Sequence, residues 1–366
     1  MSQKKILIVC PYPKNVAPSQ RLKFEQYYES WKQAGYDITI DSFQSLRFWN
    51  IIYQNGSLLS KVWHTFLGYF SRFLRLFTLR KFDIVYIHLW VTPFGPPISE
   101  WLYCCISKKV IFDIDDLVFL GKSSDMNSWV SKLKGKGKPI YLMKHADHII
   151  TCTPYLDNFV RQYNQHTTDI SSTINTDNYS IVNTYQNDHK IILGWSGSHS
   201  TAKYLYLLHP MLLKLKKQHD FKLLVMGAGA HFQMQDLDVE LVPWTEENEI
   251  KTIQRFDIGL YPLPDEQWVH GKSGLKALQY MAMGLPTVAS KIGEAIERVI
   301  KDGESGFLVS GYDKEWIEAL SMLITDSITR KNVGQTSRKR VEEMYSIQAT
   351  KPIYLSVLNE VINSKK

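Results

Sequence analysis

Cysteines, long apolar runs and a strong charge of either sign are all scarce in this sequence of 366 residues. The four cysteines include no Cys-x-x-Cys pair, which excludes a zinc ribbon, and we interpret them as reduced thiols of a cytoplasmic protein. No window of about 18 apolar residues is present, so no membrane-spanning helix is expected. The start, MSQKKILIVCPYP, has only a short apolar run before two prolines and predicts a first strand, not a signal peptide.

The net charge of +7 is too small to predict a nucleic-acid partner. It is compatible with a ligand that carries phosphates, with an anionic membrane or with an ordinary basic surface. Hydrophobic residues make up 44% of the chain and charged residues 22%, which is typical of folded globular domains. A chain of this length is expected to form two domains.

Short β-prone runs alternate with helical segments along the chain, beginning with KILIVC (5–10) and YDITIDSF (36–43). This alternation predicts parallel sheets covered by helices. A polar segment at 165–190 separates a first series from a second. We therefore predict two doubly wound, Rossmann-like α/β domains, 1–172 and 173–366, facing a central cleft at the carboxyl ends of their strands.

The segment VHGKSGLKALQYMAMGLPTVAS (269–290) predicts a helix that begins at a positively charged turn and ends at Gly-x-Pro. Ser273 is the expected N-cap, and Gly274 allows a ligand to approach the backbone. Four side chains share one face of this helix: Lys272, Lys276, Gln279 and Met283. A helix start with lysines is typical of an anion site, and a solvated face on an ordinary helix is the alternative.

The two-domain layout, LKALQYMAMGLPTVAS and the following VIKDGESGFLV resemble the nucleotide-sugar glycosyltransferases of family four, which have the GT-B fold. The resemblance implies transfer of a hexosyl group from a nucleoside diphosphate sugar to an acceptor hydroxyl, with retention and without a metal or other cofactor. It also implies a lipid-linked or glycan acceptor and a role in cell-surface polysaccharide or glycolipid assembly. If the reaction instead inverts configuration, a base is needed, and Asp115 is the candidate.

The sequence departs from this family at its paired glutamates, E-x7-E, whose positions are occupied by Gly271 and Gln279. It resembles a subgroup with a degenerate motif and with P-L-x-D-x-x-W-x-x-G-K before the helix. Gln279 retains the ability to bind ribose hydroxyls. Asp265, Glu266 or His270 in the same loop is a candidate replacement for the first glutamate, and Asp265 is our choice.

The resemblance assigns some of the remaining site residues, whereas Arg21, Asp115 and Asp116 are predicted from their positions after strands of the first domain. The donor-binding residues are Gly197, Ser198, Thr201, Trp244, Lys272, Ser273, Gly274, Leu275 and Gln279. The catalytic residues are His88, Asp115 and Asp265. The acceptor-binding residues are Arg21 and Asp116, with helix capping by Asp116 and an ordinary surface arginine as the alternatives.

Two other functions are compatible with the same sequence. A partner that binds nucleotide sugars without catalysing transfer is one, because the family glutamates are missing. An NAD-dependent oxidoreductase is the other, but no strand runs into G-x-G-x-x-G, and GAGA (227–230) is a weak signal.

A second helix, within 59–81, has a hydrophobic stripe at helical spacing. Its members are Trp63, Phe66, Leu67, Phe70, Phe73, Leu74 and Phe77. Basic residues, among them Lys61, Arg72 and Arg75, are expected off this stripe. The pattern predicts peripheral binding to an anionic membrane, on the inner face of the cell membrane, and packing of the stripe against the first sheet is the alternative.

Overall fold

The computed structural model divides into two compact units, Met1–Ser171 with Thr350–Lys366, and Ser172–Ala349. The residues it describes are 3–52, 54, 56–115, 117, 137–182 and 190–364. Each unit is built around a six-stranded parallel sheet. This confirms the prediction of two Rossmann-like α/β domains.

The first sheet has the strand order β2-β1-β3-β4-β5-β6. Its strands are β1 (Lys4–Cys10), β2 (Tyr36–Ser42), β3 (Ile84–His88), β4 (Val110–Asp113), β5 (His148–Thr151) and β6 (Thr167–Asp169). The α-helices between them are α1 (Pro18–Arg21), α2 (Tyr28–Gln33), α3 (Leu46–Ile52), α4 (Leu58–Arg75), α5 (Ile98–Ile106), α6 (Gly137–His145) and α7 (Pro154–Val160). Short 3-10 helices occupy Glu25–Tyr27 and Leu76–Lys81.

The second sheet has the order β12-β11-β10-β7-β8-β9. Its strands are β7 (Ile191–Ser196), β8 (Phe221–Met226), β9 (Val239–Val242), β10 (Ile258–Tyr261), β11 (Thr287–Ser290) and β12 (Phe307–Val309). The α-helices are α8 (His209–Lys216), α9 (Glu246–Ile253), α10 (Leu275–Ala282), α11 (Glu294–Val299), α12 (Lys314–Thr325), α13 (Ser327–Met344) and α14 (Ile347–Asn363). The 3-10 helices are Thr176–Asn178, Ala202–Leu208 and Gln267–Gly271.

The apolar strands are explained by burial on both faces of each sheet. On β8, Leu224 and Met226 belong to one buried cluster, whereas Leu223 and Val225 belong to the other. Alternate side chains of a strand point to opposite faces, so a strand covered by helices on both sides is apolar at every position. This places the polar side chains at the strand ends.

The unit to which the last helix belongs differs from the prediction, which placed all of 173–366 in the second domain. From Thr350 onward α14 contributes to the first unit. The Tyr354 ring packs 4.6 Å from that of Tyr27, and Asn359 Oδ1 accepts a hydrogen bond from the Tyr36 hydroxyl at 2.8 Å. These contacts join positions more than 300 residues apart, and helical periodicity alone does not reveal them.

Candidate functional site

The loop after β7 forms a hydroxyl-rich turn at the carboxyl end of the second sheet. The Ser198 amide donates to Thr201 Oγ1, and the Thr201 hydroxyl lies at the same distance, 3.1 Å, from the Ser198 carbonyl oxygen. Ser198 Oγ lies 2.9 Å from Ser200 Oγ, and both serines are exposed. The predicted residues Gly197, Ser198 and Thr201 therefore lie in one turn whose hydroxyl groups can donate to an anion.

Lys276, in the first turn of α10, reaches this turn with its ammonium group. Its Nζ lies 3.5 Å from Thr201 Oγ1 and 4.6 Å from the centroid of the Trp195 ring. A Cβ at position 197 would lie 2.6 Å from Nζ, so Gly197 permits the approach. Lys272 was predicted as the charged ligand and Lys276 was not, although the four-residue spacing of the two lysines on one helix face was an available signal.

The charge of Lys276 has no carboxylate partner among the residues that the structure describes. Its side chain is half-buried, and its nearest described neighbours, Trp195 and Thr201, are uncharged. Burial, and secondly the charge of Lys272, lower the pKa of Lys276 to about 7. An anion placed beside this amine would favour the protonated form.

The start of α10 differs by one residue from the prediction. Gly274, with φ of 76°, occupies the N-cap, where no side chain caps the helix. The prediction that Ser273 is the N-cap was wrong, because its hydroxyl lies 2.6 Å from Ser172 Oγ instead. Leu275 packs, partly buried, against the core, and Lys272 Nζ lies 5.5 Å from the centroid of the Trp268 ring.

Two other predicted donor ligands have partners within the protein. Gln279 is only 4% exposed, and its amide donates to the Tyr179 hydroxyl at 3.3 Å. Trp244 is exposed, and its indole donates to Glu249 Oε1 at 3.0 Å. Their roles toward ribose and nucleobase stay predictions.

The loops after β7, β8 and β9 meet near the hydroxyl-rich turn. A Cβ at Gly227, after β8, would lie 2.0 Å from the Gly197 carbonyl oxygen and 3.3 Å from Trp244 Cβ. The carboxyl ends of neighbouring parallel strands share one edge of a sheet, which is the usual place for ligands in such folds. Asp265 is exposed in the loop after β10, and its catalytic role also stays a prediction.

The first unit has a buried ionic cluster at the ends of β3 and β4. Lys23 forms an ion pair with Asp113, and the Tyr86 hydroxyl donates to Asp113 Oδ2 at 2.8 Å. Burial opposes ionisation of Asp113, but Lys23 and His88 outweigh it and lower the pKa of this carboxyl to about 2. Burial is the largest single influence on the pKa of Lys23 and acts to lower it. The charge of Asp113 opposes burial, and the pKa of Lys23 is raised overall.

His88, a predicted catalytic residue, belongs to this cluster and is fully buried. Its Nδ1 lies 3.2 Å from Asp113 Oδ2, and a carboxylate at that distance favours the tautomer with hydrogen on Nδ1. The Phe24 ring packs against the imidazole at 4.9 Å between centroids. Nε2 is buried and has no hydrogen-bond partner among the described residues, so it is an unsatisfied acceptor.

The other residues predicted to form the site in the first unit are close in sequence to members of this cluster. Asp115 is half-buried after β4, and its carbonyl oxygen accepts a bond from Cys152 Sγ at 3.1 Å. Arg21 ends α1 and is half-buried. Asp116, predicted to bind the acceptor, lies outside the described residues. Across the described ranges, no group of three or more His, Cys, Asp and Glu is arranged to hold a metal ion.

Helix α4 and the 3-10 helix that follows it carry the predicted hydrophobic stripe, and all seven of its side chains are exposed, by 39% to 75%. The alternative that this stripe packs on the first sheet was therefore wrong. Arg72 lies off this stripe, as expected, but on the buried face of α4. Arg72 is 2% exposed, forms an ion pair with Asp41 at 2.9 Å and donates to the carbonyl oxygens of Cys10 and Val91 at 2.9 and 3.0 Å.

The inner face of α4 is therefore the one that carries Arg72. A Cβ at Gly68, one turn earlier, would lie 2.7 Å from the Phe43 ring, so this face approaches the first unit closely. Arg75 Nε donates to Asp41 Oδ2 at 3.0 Å. No helix formed by the described residues is long and apolar enough to cross a bilayer.

Comparison with known proteins identifies the class of fold and matches part of the chain to a family. The fold is GT-B, as in HepE from Anabaena in complex with UDP-glucose, which aligns with a TM-score of 0.65 and 12% identity over 97% of this chain and 99% of that chain. Residues 190–326, somewhat more than a third of the chain, match the family model described as glycosyl transferases group 1. This match covers the hydroxyl-rich turn and α10.

Two curated relatives are similar to parts of this chain. The D-inositol 3-phosphate glycosyltransferase of Paenarthrobacter aurescens is 35% identical over 25% of this chain and 22% of its own length. The capsular polysaccharide biosynthesis glycosyltransferase CapM of Staphylococcus aureus is 26% identical over 43% of each chain. The matched segments thus span less than half of either relative.

Proposed function

We propose that this protein is a glycosyltransferase that moves a hexosyl group from a nucleoside diphosphate sugar to an acceptor hydroxyl, with retention of configuration. The observation that carries the proposal is in the second unit, where Lys276 Nζ lies 3.5 Å from the Thr201 hydroxyl, which is itself 3.2 Å from Ser198 Oγ, and has no carboxylate partner among the described residues. The site lies within the segment that matches the glycosyl transferase family model. The UDP-glucose bound by the Anabaena protein of the same fold supports a donor of this class.

The chemistry required of the second unit is stabilisation of a leaving diphosphate. Negative charge develops on the phosphate oxygen as the glycosidic bond breaks, and a positioned cation and hydroxyl donors lower the energy of that state. Lys276 would supply the cation and the turn after β7 the donors. On a retaining, front-side path the leaving diphosphate accepts the acceptor proton, so no separate base is needed.

In the first unit we assign to His88 the role of binding the transferred sugar. Its Nε2 is a buried acceptor without a partner among the described residues, and Asp113 holds the ring through Nδ1. A sugar hydroxyl is a donor that would satisfy Nε2. If the reaction inverts configuration, Asp115 is the candidate base.

The test is incubation of the purified chain with UDP-, GDP-, ADP- and TDP-sugars and short glycan or polyprenyl-phosphate acceptors. We expect release of one nucleoside diphosphate with formation of a glycoside, whose anomeric configuration is read by NMR. His88→Ala should reduce turnover by roughly 100-fold or more, the scale of a lost catalytic contact. His145→Ala, at an exposed histidine of α6, is the matched control.

Donor binding without hydrolysis or transfer would instead identify a non-catalytic partner that binds sugar nucleotides. The observation that favours this second candidate is Gly271, which offers no side chain at the position of the first family glutamate. Binding of NAD but of no sugar nucleotide would contradict both candidates.

We further propose that the exposed stripe of α4 binds an anionic membrane surface, at which a lipid-linked acceptor is met. Phe94 adds to this apolar surface, since its backbone is bonded to the Tyr69 hydroxyl on α4 and its side chain is exposed. Between Asp41 and Asp83 the chain has six basic residues and no acidic one. Arg72 and Arg75 pair with Asp41, whereas Arg47, Arg80 and Lys81 are exposed. Apolar side chains beside exposed basic charge are suited to an anionic interface. The CapM relative, named for capsular polysaccharide biosynthesis, supports a role in surface polysaccharide or glycolipid assembly.

Vesicle co-sedimentation tests this membrane face. Wild type should pellet with phosphatidylglycerol vesicles and much less with phosphatidylcholine, and salt should loosen the attachment. Phe66→Ser with Phe70→Ser should abolish pelleting, because both rings are exposed and would enter the interface. Ile328→Ser, which changes an exposed apolar residue of α13, is the matched control. Equal pelleting of the double variant and wild type would contradict the proposal.

A further inference from the structure

Lys276 is a half-buried cation that has no opposing charge among the described residues. The groups facing it are the Trp195 ring on β7, at 4.6 Å, and the Thr201 hydroxyl in the following turn, at 3.5 Å. Both are neutral. The charged group acting on it is Lys272, which is also a cation.

Partial burial and the like charge of Lys272 disfavour protonation of Lys276 when no anion is bound. Burial first, and then Lys272, lower the pKa of Lys276 to about 7, so near neutral pH a large share of the molecules hold it uncharged. His199 belongs to the same turn, but its ring is directed to Gly229, where a Cβ would lie 2.9 Å from Cδ2. A dianionic or trianionic ligand reverses the balance, since it attracts both lysines and stabilises their charges.

We propose that Lys276 is the principal ligand of the donor diphosphate and that it takes up a proton when the diphosphate binds. The inference rests on the proposed function, because that function supplies the diphosphate. The proton comes from solvent and converts the neutral amine into an ammonium group, and no bond of the donor is made or broken. Diphosphate affinity then falls as the pH rises above 7, by up to tenfold per pH unit while one proton is taken up.

The geometry also distinguishes the two lysines. Lys272 Nζ lies over the Trp268 ring at 5.5 Å, whereas Lys276 Nζ is the one that reaches the hydroxyl-rich turn. Lys272 therefore acts on the site mainly through its charge. Its replacement should raise the pKa of Lys276 and weaken the coupling of binding to pH.

The experiment is titration calorimetry with UDP, GDP, ADP and TDP near pH 8, in buffers of different ionisation enthalpy. At that pH the free diphosphate is fully ionised, since its last pKa is about 6, so a proton taken up goes to the protein. Wild type should bind one of the four with uptake of up to one proton. Lys276→Arg should bind it without uptake, because arginine is always charged.

Two further variants separate charge from position. Lys276→Met should weaken binding roughly 10- to 100-fold, the scale of a lost charged hydrogen bond. Lys203→Met is the matched control, because Lys203 is an exposed cation of the same region whose Nζ lies over the Tyr204 ring at 5.3 Å, and it should bind like wild type. Amine labelling at neutral pH, read by mass spectrometry, should modify Lys276 faster than Lys203, and UDP should protect it.

Failure of this inference is distinguishable from failure of the proposed function. Wild type that binds a nucleoside diphosphate without proton uptake overturns the inference and leaves the glycosyltransferase in place. Proton uptake that persists in Lys276→Arg would assign it to His199 or Lys272 and also overturn it. Wild type that binds none of the four diphosphates overturns both.

Discussion

The two units share a sheet architecture, but the half-buried Lys276 of the second unit differs from three buried cations of the first. In the first unit each of three such cations has a carboxylate: Lys23 pairs with Asp113, Arg72 with Asp41, and Lys138 with Glu100 at 3.4 Å. In the second unit the half-buried Lys276 has no carboxylate partner among the described residues.

This difference separates structural charges from those available to a ligand. A buried ion pair that is broken leaves an uncompensated charge in a poorly solvated place, so removal of either member alone destabilises the fold. A cation that the fold leaves without a carboxylate partner destabilises the empty protein and is relieved by an anion from outside. The comparison can be tested by removing each kind of charge in turn.

The largest effect is expected from Lys23→Met, which leaves the buried Asp113 without its cation. Loss of one partner of a buried pair destabilises a protein by about 3–5 kcal/mol. Urea unfolding followed by circular dichroism measures it. Lys32→Met is the control, since Lys32 pairs with Glu29 at 2.8 Å between exposed side chains and should change stability little. Equal effects of the two substitutions would contradict the distinction.

A smaller loss of folding stability is expected when the pH is lowered. The pKa of Asp113 is lowered in the folded state, so its contribution is present above an unfolded pKa near 3.8 and is lost as the pH falls toward 2. The loss amounts to about 2 kcal/mol. Urea midpoints at pH 5 and pH 3 should differ more for wild type than for the Lys23→Met, Asp113→Asn double variant. Identical pH dependence would show that the cluster does not control acid stability.

Lys276 is expected to affect stability in the opposite direction, because its charge is unfavourable in the folded protein. Its folded pKa lies below the unfolded value of 10.5, so the unfolded chain binds more protons and wild-type stability rises with pH between about 7 and 10.5. Lys276→Met removes this term and should be more stable than wild type at pH 7, by on the order of 1 kcal/mol. Melting temperatures at pH 7 and 9.5 measure it. A variant less stable than wild type at pH 7 would assign Lys276 a structural role.

The smallest effect, on turnover and not on stability, is expected when EDTA removes divalent cations. If Lys276 and the hydroxyls of the turn after β7 neutralise the leaving diphosphate, transfer does not depend on a divalent cation. We expect turnover to change by less than about twofold, since the cation that stabilises the developing charge belongs to the protein. Loss of activity that Mg²⁺ or Mn²⁺ restores would transfer that role to a metal.

Local sequence patterns were sufficient for the class of both sheets and for most of their strands, but not for β6 (Thr167–Asp169), which lies in the polar segment predicted to separate the two series. The β8 segment is apolar at successive positions because it is covered on both faces, and α10 ends where Gly284 and Pro286 were expected to end it. Prediction was weaker at the start of that helix, since the choice between Ser273 and Gly274 depends on a contact with the distant Ser172.

The sequence by itself determined two parallel α/β units and an amphipathic α4, and it predicted an anion site near the start of α10. Only the tertiary structure decided which lysine reaches the turn after β7, since Gly197 leaves room for the Lys276 side chain. It also decided which face of α4 is buried. A hydrophobic stripe would ordinarily face the core, but the Arg72 guanidinium satisfies the carbonyl oxygens of Cys10 and Val91 and the carboxylate of Asp41. Those acceptors come from three separate segments and meet only in the folded chain, so local periodicity cannot encode the choice.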